Sequence, residues 1–263
     1  MMTNSKRVLV TGGGTFLGDS IAAALLAEGV EVTLLVRPGA EDRLGTLAQR
    51  TRWFTADVWN PGSLKGRARG HQTVVHTVGS MVADPAKGLS YDTLNLVSAR
   101  NVANMCVSGG VPHMVLMSAV RAPWASAAYI HSKREAEQYI ARVGVRPTII
   151  RAPVAYLRGS RRGLFYRFMT LIGTIPPLSW TALGRIAPMP IDVLARGVAR
   201  ITLDERATKP IYYARDLRKR NSSSELRRAI PLMPANPAAP GAALNPFDMM
   251  DDDTPFGWIP PQK

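Results

Sequence analysis

TGGGTFLG, residues 11 to 18, follows the apolar run Val8, Leu9, Val10 and opens a helical pattern at Leu17, Ile21, Ala24 and Leu25. That order reads as a strand, a glycine turn and a helix. Glycines let the backbone approach a ligand closely, and a helix N-terminus presents free amides with a partial positive charge. The turn therefore nominates Gly12, Gly14, Thr15, Phe16, Leu17 and Gly18 as contacts of a nucleotide pyrophosphate.

Working outward, Glu31 to Val36 reads as a second strand, 52 to 55 as a third, Thr73 to Thr77 as a fourth, His113 to Met117 as a fifth and Pro147 to Ile150 as a sixth. Helical patterns run from about 87 to 108 and from Tyr129 to Arg142. Strands separated by crossovers of this length predict βαβ units and a doubly wound parallel sheet. Ile191 to Ile201 adds a helix and Pro210 to Ala214 a short strand. The expected division is a nucleotide-binding core over 1–157, a substrate-side subdomain over 158–220 and a tail over 221–263.

At 263 residues and 46% apolar content the chain has material for one two-sided core. A single cysteine, Cys106, forms no internal disulfide, and the first strand opens so early that a signal peptide is not expected. The expected location is cytoplasmic. Net charge is +14. Residues 221–263 hold three basic and five acidic residues, a net −2, leaving +16 for the body. The basic residues are scattered along the chain without aromatic interleaving, which disfavours nucleic acid as a partner. An anionic membrane surface, an acidic partner or the chain's own tail suits the charge equally. Two segments are candidates for such contacts. Residues 158–180 combine arginines with an apolar stretch too short to span a bilayer, and read either as a helix over the substrate pocket or as a peripheral membrane contact. The Pro- and Ala-rich tail sets Phe247, Phe256 and Trp258 among acidic residues, and reads either as disordered or as a protein-docking segment.

Tyr129 and Lys133 stand at i and i+4 on one helix face. A lysine held there favours phenolate and would draw the tyrosine toward neutral pH, so that it can exchange a proton with a carbinol. Ser118, at the end of the fifth strand, offers a hydroxyl for the same oxygen. His76, His113 and His131 form no spaced ligand set, and no metal is expected.

TGGGTFLG, Ser118, the Tyr129/Lys133 pair and RAP at 151–153 together resemble the short-chain dehydrogenase/reductase superfamily with its Rossmann-type α/β fold. The likeness covers roughly residues 6 to 215. The short gap from Ser118 to Tyr129, LVRP at 35–38 and IDVLA at 191–195 resemble its atypical, extended branch, which includes the nucleotide-binding accessory subunit of respiratory complex I. The resemblance implies Ser118, Tyr129 and Lys133 as a catalytic triad with Asn95 in a water-borne proton relay. It also implies an oxidoreductase acting on an apolar carbonyl, alcohol or quinone-related small molecule. The alternative is a nucleotide-binding accessory or assembly subunit without chemistry. Asp57 and Val58 are implied near the adenine, and Val78 and Gly79 along the cofactor. Arg37 replaces the acid that an NAD site places after the second strand, and its guanidinium favours NADP(H) over NAD(H). Thr15 stands at the family's middle glycine, where a side chain would crowd the pyrophosphate unless Gly13 and Gly14 let the loop shift.

Overall fold

In a computed structural model, residues 6–158, 182–206 and 209–227 are described. In chain order they form β1 (Arg7–Gly13), α1 (Phe16–Ala27), β2 (Glu31–Val36), α2 (Leu47–Arg50), β3 (Arg52–Thr55), α3 (Pro61–Leu64), β4 (Thr73–His76), α4 (Ser98–Gly109), β5 (His113–Ala119), α5 (Ala127–Arg142) and β6 (Arg146–Ala152). Then follow β7 (Ala155–Tyr156), α6 (Ala182–Ile186), β8 (Met189–Pro190), α7 (Ile191–Leu203), β9 (Ile211–Tyr213), α8 (Ala214–Lys219) and α9 (Ser223–Arg227).

Seven strands make one parallel sheet in the order β3-β2-β1-β4-β5-β6-β9. Strand order reverses between β1 and β4, which opens a crevice at the C-terminal edge of the sheet. The run Val8, Leu9, Val10 shows why these strands read as continuously apolar. Val8 and Val10 face one core with α1 and α7, whereas Leu9 faces a second core with α4 and α5. Side chains alternate across a strand, and here both faces are covered.

The six core strands lie where the sequence pattern puts them, and the short segment after Pro210 becomes β9, parallel to β6 at the sheet edge. The helix expected from 87 begins later. Asp84 pairs with Leu89 through two backbone hydrogen bonds, and a wide π-type turn over Asp92–Val97 precedes α4. β7 and β8 pair in a small separate sheet that two-residue strands do not announce in sequence.

Residues 221–227, assigned to the tail by composition, pack with the body. Glu225 accepts hydrogen bonds from both terminal nitrogens of Arg200, which holds its carboxyl down at about 2. Arg158 binds Asp192 at 3.1 Å and the Leu226 carbonyl from two nitrogens. Asp192 of the IDVLA segment thus anchors Arg158 and, one helical turn away, Arg196. Most of the apolar segment expected at 158–180, and the tail beyond Arg227, lie outside the described residues. No described helix is long and apolar enough to cross a membrane.

Candidate active site

The glycine turn leads from β1 into α1. Gly12 adopts φ +84°, and a Cβ on Gly18 would lie 2.1 Å from the Gly12 carbonyl oxygen. Only glycine permits α1 to begin this close to the strand. Thr15 is the N-cap of α1, its hydroxyl accepting the Gly18 amide at 3.0 Å. Phe16 and Leu17 occupy the first helical positions, whose amides have no acceptor within the helix. The Gly14 amide is already taken: Asp19 Oδ1 accepts it at 2.8 Å, and burial pushes that carboxyl up to about 7. Asp19 carries no motif signature beyond being an acid in a first turn.

Gly12, Thr15, Arg37, Val58 and Val78 line one crevice beside the turn. Trp59, which the sequence does not single out, joins them, its indole N–H donating to the Thr93 carbonyl at 2.7 Å. Asp57 sits at the rim of this region as a turn cap, its carboxylate accepting the Trp59 amide at 2.9 Å. The narrow β1–α1 approach, the free helix amides and this crevice together form a cradle that fits a dinucleotide.

Across the switch point lies a cavity of about 670 Å³. Phe16, Leu17 and Gly79 form its nucleotide side, Ser118, Tyr129 and Lys133 its polar wall, and residues such as Met81, Trp124, Val154 and Leu194 an apolar remainder. The structure therefore brings the three residues of the expected triad to one cavity. Gly79 links Lys133 with Asn95, since a Cβ there would meet Asn95 Oδ1 at 2.5 Å and Lys133 Nζ at 2.6 Å. Asn95 is buried; its Oδ1 accepts the Ser80 amide and its Nδ2 donates to the Ser80 and Tyr91 carbonyls, pinning the loop after β4.

Electrostatics differ from the sequence expectation in one respect. Burial pushes the Tyr129 phenol above its ordinary value, offset in part by Arg134, so Lys133 does not draw it toward neutral pH. Lys133 donates to the Met117 carbonyl at 3.2 Å, and burial lowers its ammonium to about 8, opposed by Glu137. Desolvation outweighs pair attraction because both groups are almost fully enclosed.

Ser118 is committed elsewhere. Its hydroxyl donates to Glu137 Oε1 at 2.5 Å and accepts from Arg134 at 3.2 Å. Glu137 also binds Arg134 and, through both carboxylate oxygens, Arg151, which in turn reaches the Tyr213 hydroxyl at 2.9 Å. Glu137 lies one helical turn beyond Lys133, so Tyr129, Lys133 and Glu137 repeat at intervals of four along one face of α5. That spacing is the signal by which the sequence could have yielded it.

His76 and His113 are structural. His76 bonds Thr11 at 2.9 Å, His113 bridges Thr73 and Thr148, and burial lowers them to about 3 and about 4.

Fold and site define a doubly wound dinucleotide-binding protein. Residues 12–164 match the family model described as NAD(P)H-binding, more than half of the chain. The chain belongs to that family. Over 115 residues it is 30% identical to sterol-4-alpha-carboxylate 3-dehydrogenase, decarboxylating, from Bos taurus, covering 43% of this chain and 30% of that protein. Over 203 residues it is 27% identical to ceramide reductase from Caulobacter vibrioides, covering 76% of this chain and 62% of the other. The chain thus spans less than two thirds of either relative. Among solved structures, the Bordetella bronchiseptica enzyme WbmG in complex with NAD superposes with a TM-score of 0.59 at 17% identity, covering 80% of this chain and 73% of that one. A short-chain dehydrogenase/reductase from Serratia marcescens gives 0.58 at 14%, covering 78% and 94%. These likenesses establish the fold.

Proposed function

We propose that this protein is an NADP(H)-dependent oxidoreductase acting on an apolar ketone or secondary alcohol. The observation that carries the reading is the 670 Å³ cavity, apolar on most of its wall, in which Tyr129, Lys133 and Ser118 face the same space as the start of α1. The names of the two relatives, a sterol dehydrogenase and a ceramide reductase, support a lipid-like substrate.

NADPH, when bound, supplies a hydride to the carbonyl carbon. Tyr129 gives its phenolic proton to the carbonyl oxygen, so that the ketone becomes an alcohol and the phenolate is left on α5. Lys133, held by the Met117 carbonyl on the same cavity wall, would hold the cofactor beside Tyr129. Ser118 holds the substrate oxygen once its hydroxyl turns from Glu137. Arg37, which lines the crevice with Gly12 and Val58, would hold the adenosine 2′-phosphate.

A second reading, a nucleotide-binding accessory subunit without turnover, is favoured by one observation: the Ser118 hydroxyl is held by Glu137 and Arg134. The two separate in a paired measurement on the full chain. Binding of NADPH and NADH is titrated for wild type and Arg37→Ala, and NADPH consumption is followed with a panel of long-chain and polycyclic ketones. The oxidoreductase reading expects tighter NADPH binding, a preference narrowed about 10-fold in the variant, and turnover of apolar ketones. NADPH bound with no ketone consumed transfers the protein to the second reading.

A further inference from the structure

At the opposite, N-terminal edge of the sheet lies a second cavity of about 570 Å³. Five arginines line it, Arg7, Arg50, Arg52, Arg67 and Arg69, against the single carboxylate of Glu31. They come from β1, α2, β3 and the segment between α3 and β4, and the fold collects them on one concavity. No ion pair forms at any of the five among the described residues, in contrast to Arg151, Arg158 and Arg200 elsewhere in the molecule.

The floor is neutral and rigid. His71 bonds Thr33 Oγ1 at 2.9 Å through one ring nitrogen and the Ala68 carbonyl at 3.1 Å through the other. Burial together with the charges of Arg7 and Arg52 lowers its pKa, so the ring acts as a brace between β2 and the turn before β4. The Arg7 guanidinium rests against the backbone at Gly70, where an added Cβ would meet it at 3.2 Å. Arg67 lies over the Phe54 ring at 5.1 Å, which fixes its planar head at the rim.

We propose that this cavity is a second ligand site, distinct from the dinucleotide cradle, that binds a multiply charged phosphate group. Guanidinium forks match phosphate oxygens pairwise, and a concave arrangement of them binds a compact anion better than a flat basic surface does. Five positive charges around one negative charge favour a diphosphate or a phosphomonoester over a carboxylate of single charge. The phosphate comes from a soluble organic phosphate or from the headgroup of an anionic lipid.

The test uses the full chain saturated with NADPH, so that the glycine turn does not take up the probe. Inorganic pyrophosphate is titrated calorimetrically into wild type, into the triple variant Arg50→Gln, Arg52→Gln, Arg69→Gln, and into Arg69→Gln alone. Flotation with phosphatidylcholine vesicles, with and without phosphatidate, is run in parallel. The expected result is saturable pyrophosphate binding, weakened about 10-fold or more in the triple variant and by a smaller factor in the single one, with NADPH affinity unchanged. Flotation restricted to phosphatidate vesicles and lost in the triple variant assigns the phosphate to a lipid headgroup; pyrophosphate binding without flotation assigns it to a soluble ligand. Absence of pyrophosphate binding, or equal binding by wild type and both variants, overturns the proposal. Oligonucleotide binding without pyrophosphate binding overturns it too, in favour of a diffuse nucleic-acid surface.

Discussion

The two edges of one parallel sheet handle charge in opposite ways. At the C-terminal edge, Lys133 and Glu137 are buried and each has partners within hydrogen-bond reach, and the titratable groups Asp19, Tyr129 and Lys133 are shifted by desolvation. At the N-terminal edge, Arg7, Arg50, Arg52 and Arg69 are exposed and gathered on one cavity, with no ion pair at any of them among the described residues. The contrast teaches where a charge change should alter chemistry and stability and where it should alter only binding. An enclosed group is coupled to the fold through its solvation, whereas a solvated one acts on whatever anion approaches it.

Removing the phenol tests the enclosed edge hardest. Tyr129→Phe is expected to lower kcat by about 10²- to 10⁴-fold with NADPH affinity preserved, the range of a positioned proton donor; single-turnover hydride transfer checks this. A Gly18→Val variant addresses the cradle itself. Its Cβ would sit 2.1 Å from a backbone oxygen, so α1 must move off β1. A loss of about 3 kcal/mol in urea unfolding, together with lost NADPH binding, is expected.

Asp19 provides a pH dependence of known sign. Its carboxyl is raised from 3.8 to about 7 in the folded protein, so it contributes stability below pH 4 that is lost as pH rises through 7. Asp19→Asn should therefore match wild type at pH 4 and exceed it by on the order of 2 kcal/mol at pH 8, with NADPH binding strengthened where the carboxylate is charged. Equal stability differences at both pH values would place the effect in packing. The smallest change is expected at the other edge: Arg50→Gln and Arg52→Gln should leave urea stability within about 0.5 kcal/mol. A larger loss there would erase the distinction between the two edges.

Much of the enclosed edge was legible in the sequence because its signals are local. Gly12 and Gly18 stand in one octet, Tyr129 and Lys133 within one helical turn, and strands covered on both faces read as apolar runs. What sequence could not supply was the outcome of competition in space. That Thr15 caps α1 is settled by its bond to the Gly18 amide, and Lys133 reads as the tuner of Tyr129 although burial dominates that phenol. Glu137 shares the spacing of Tyr129 and Lys133 on α5, but its role is not local in sequence, because its partners Ser118 and Arg151 come from β5 and β6. The basic residues looked scattered for the same reason: Arg7 and Arg69 are far apart in the chain and share one cavity in the fold. Residues 221–227 looked like the start of a tail because an ion pair such as Arg200–Glu225 has no sequence period.

The most direct measurement is transfer of deuterium from C4-labelled NADPH to an apolar ketone by the full-length protein, read by mass spectrometry of the alcohol. The account predicts a single deuterium on the carbinol carbon with wild type and almost none with Tyr129→Phe under the same conditions. Bound NADPH that delivers no label to any apolar ketone, or equal labelling by both proteins, would contradict the assignment of this cavity to carbonyl reduction by Tyr129.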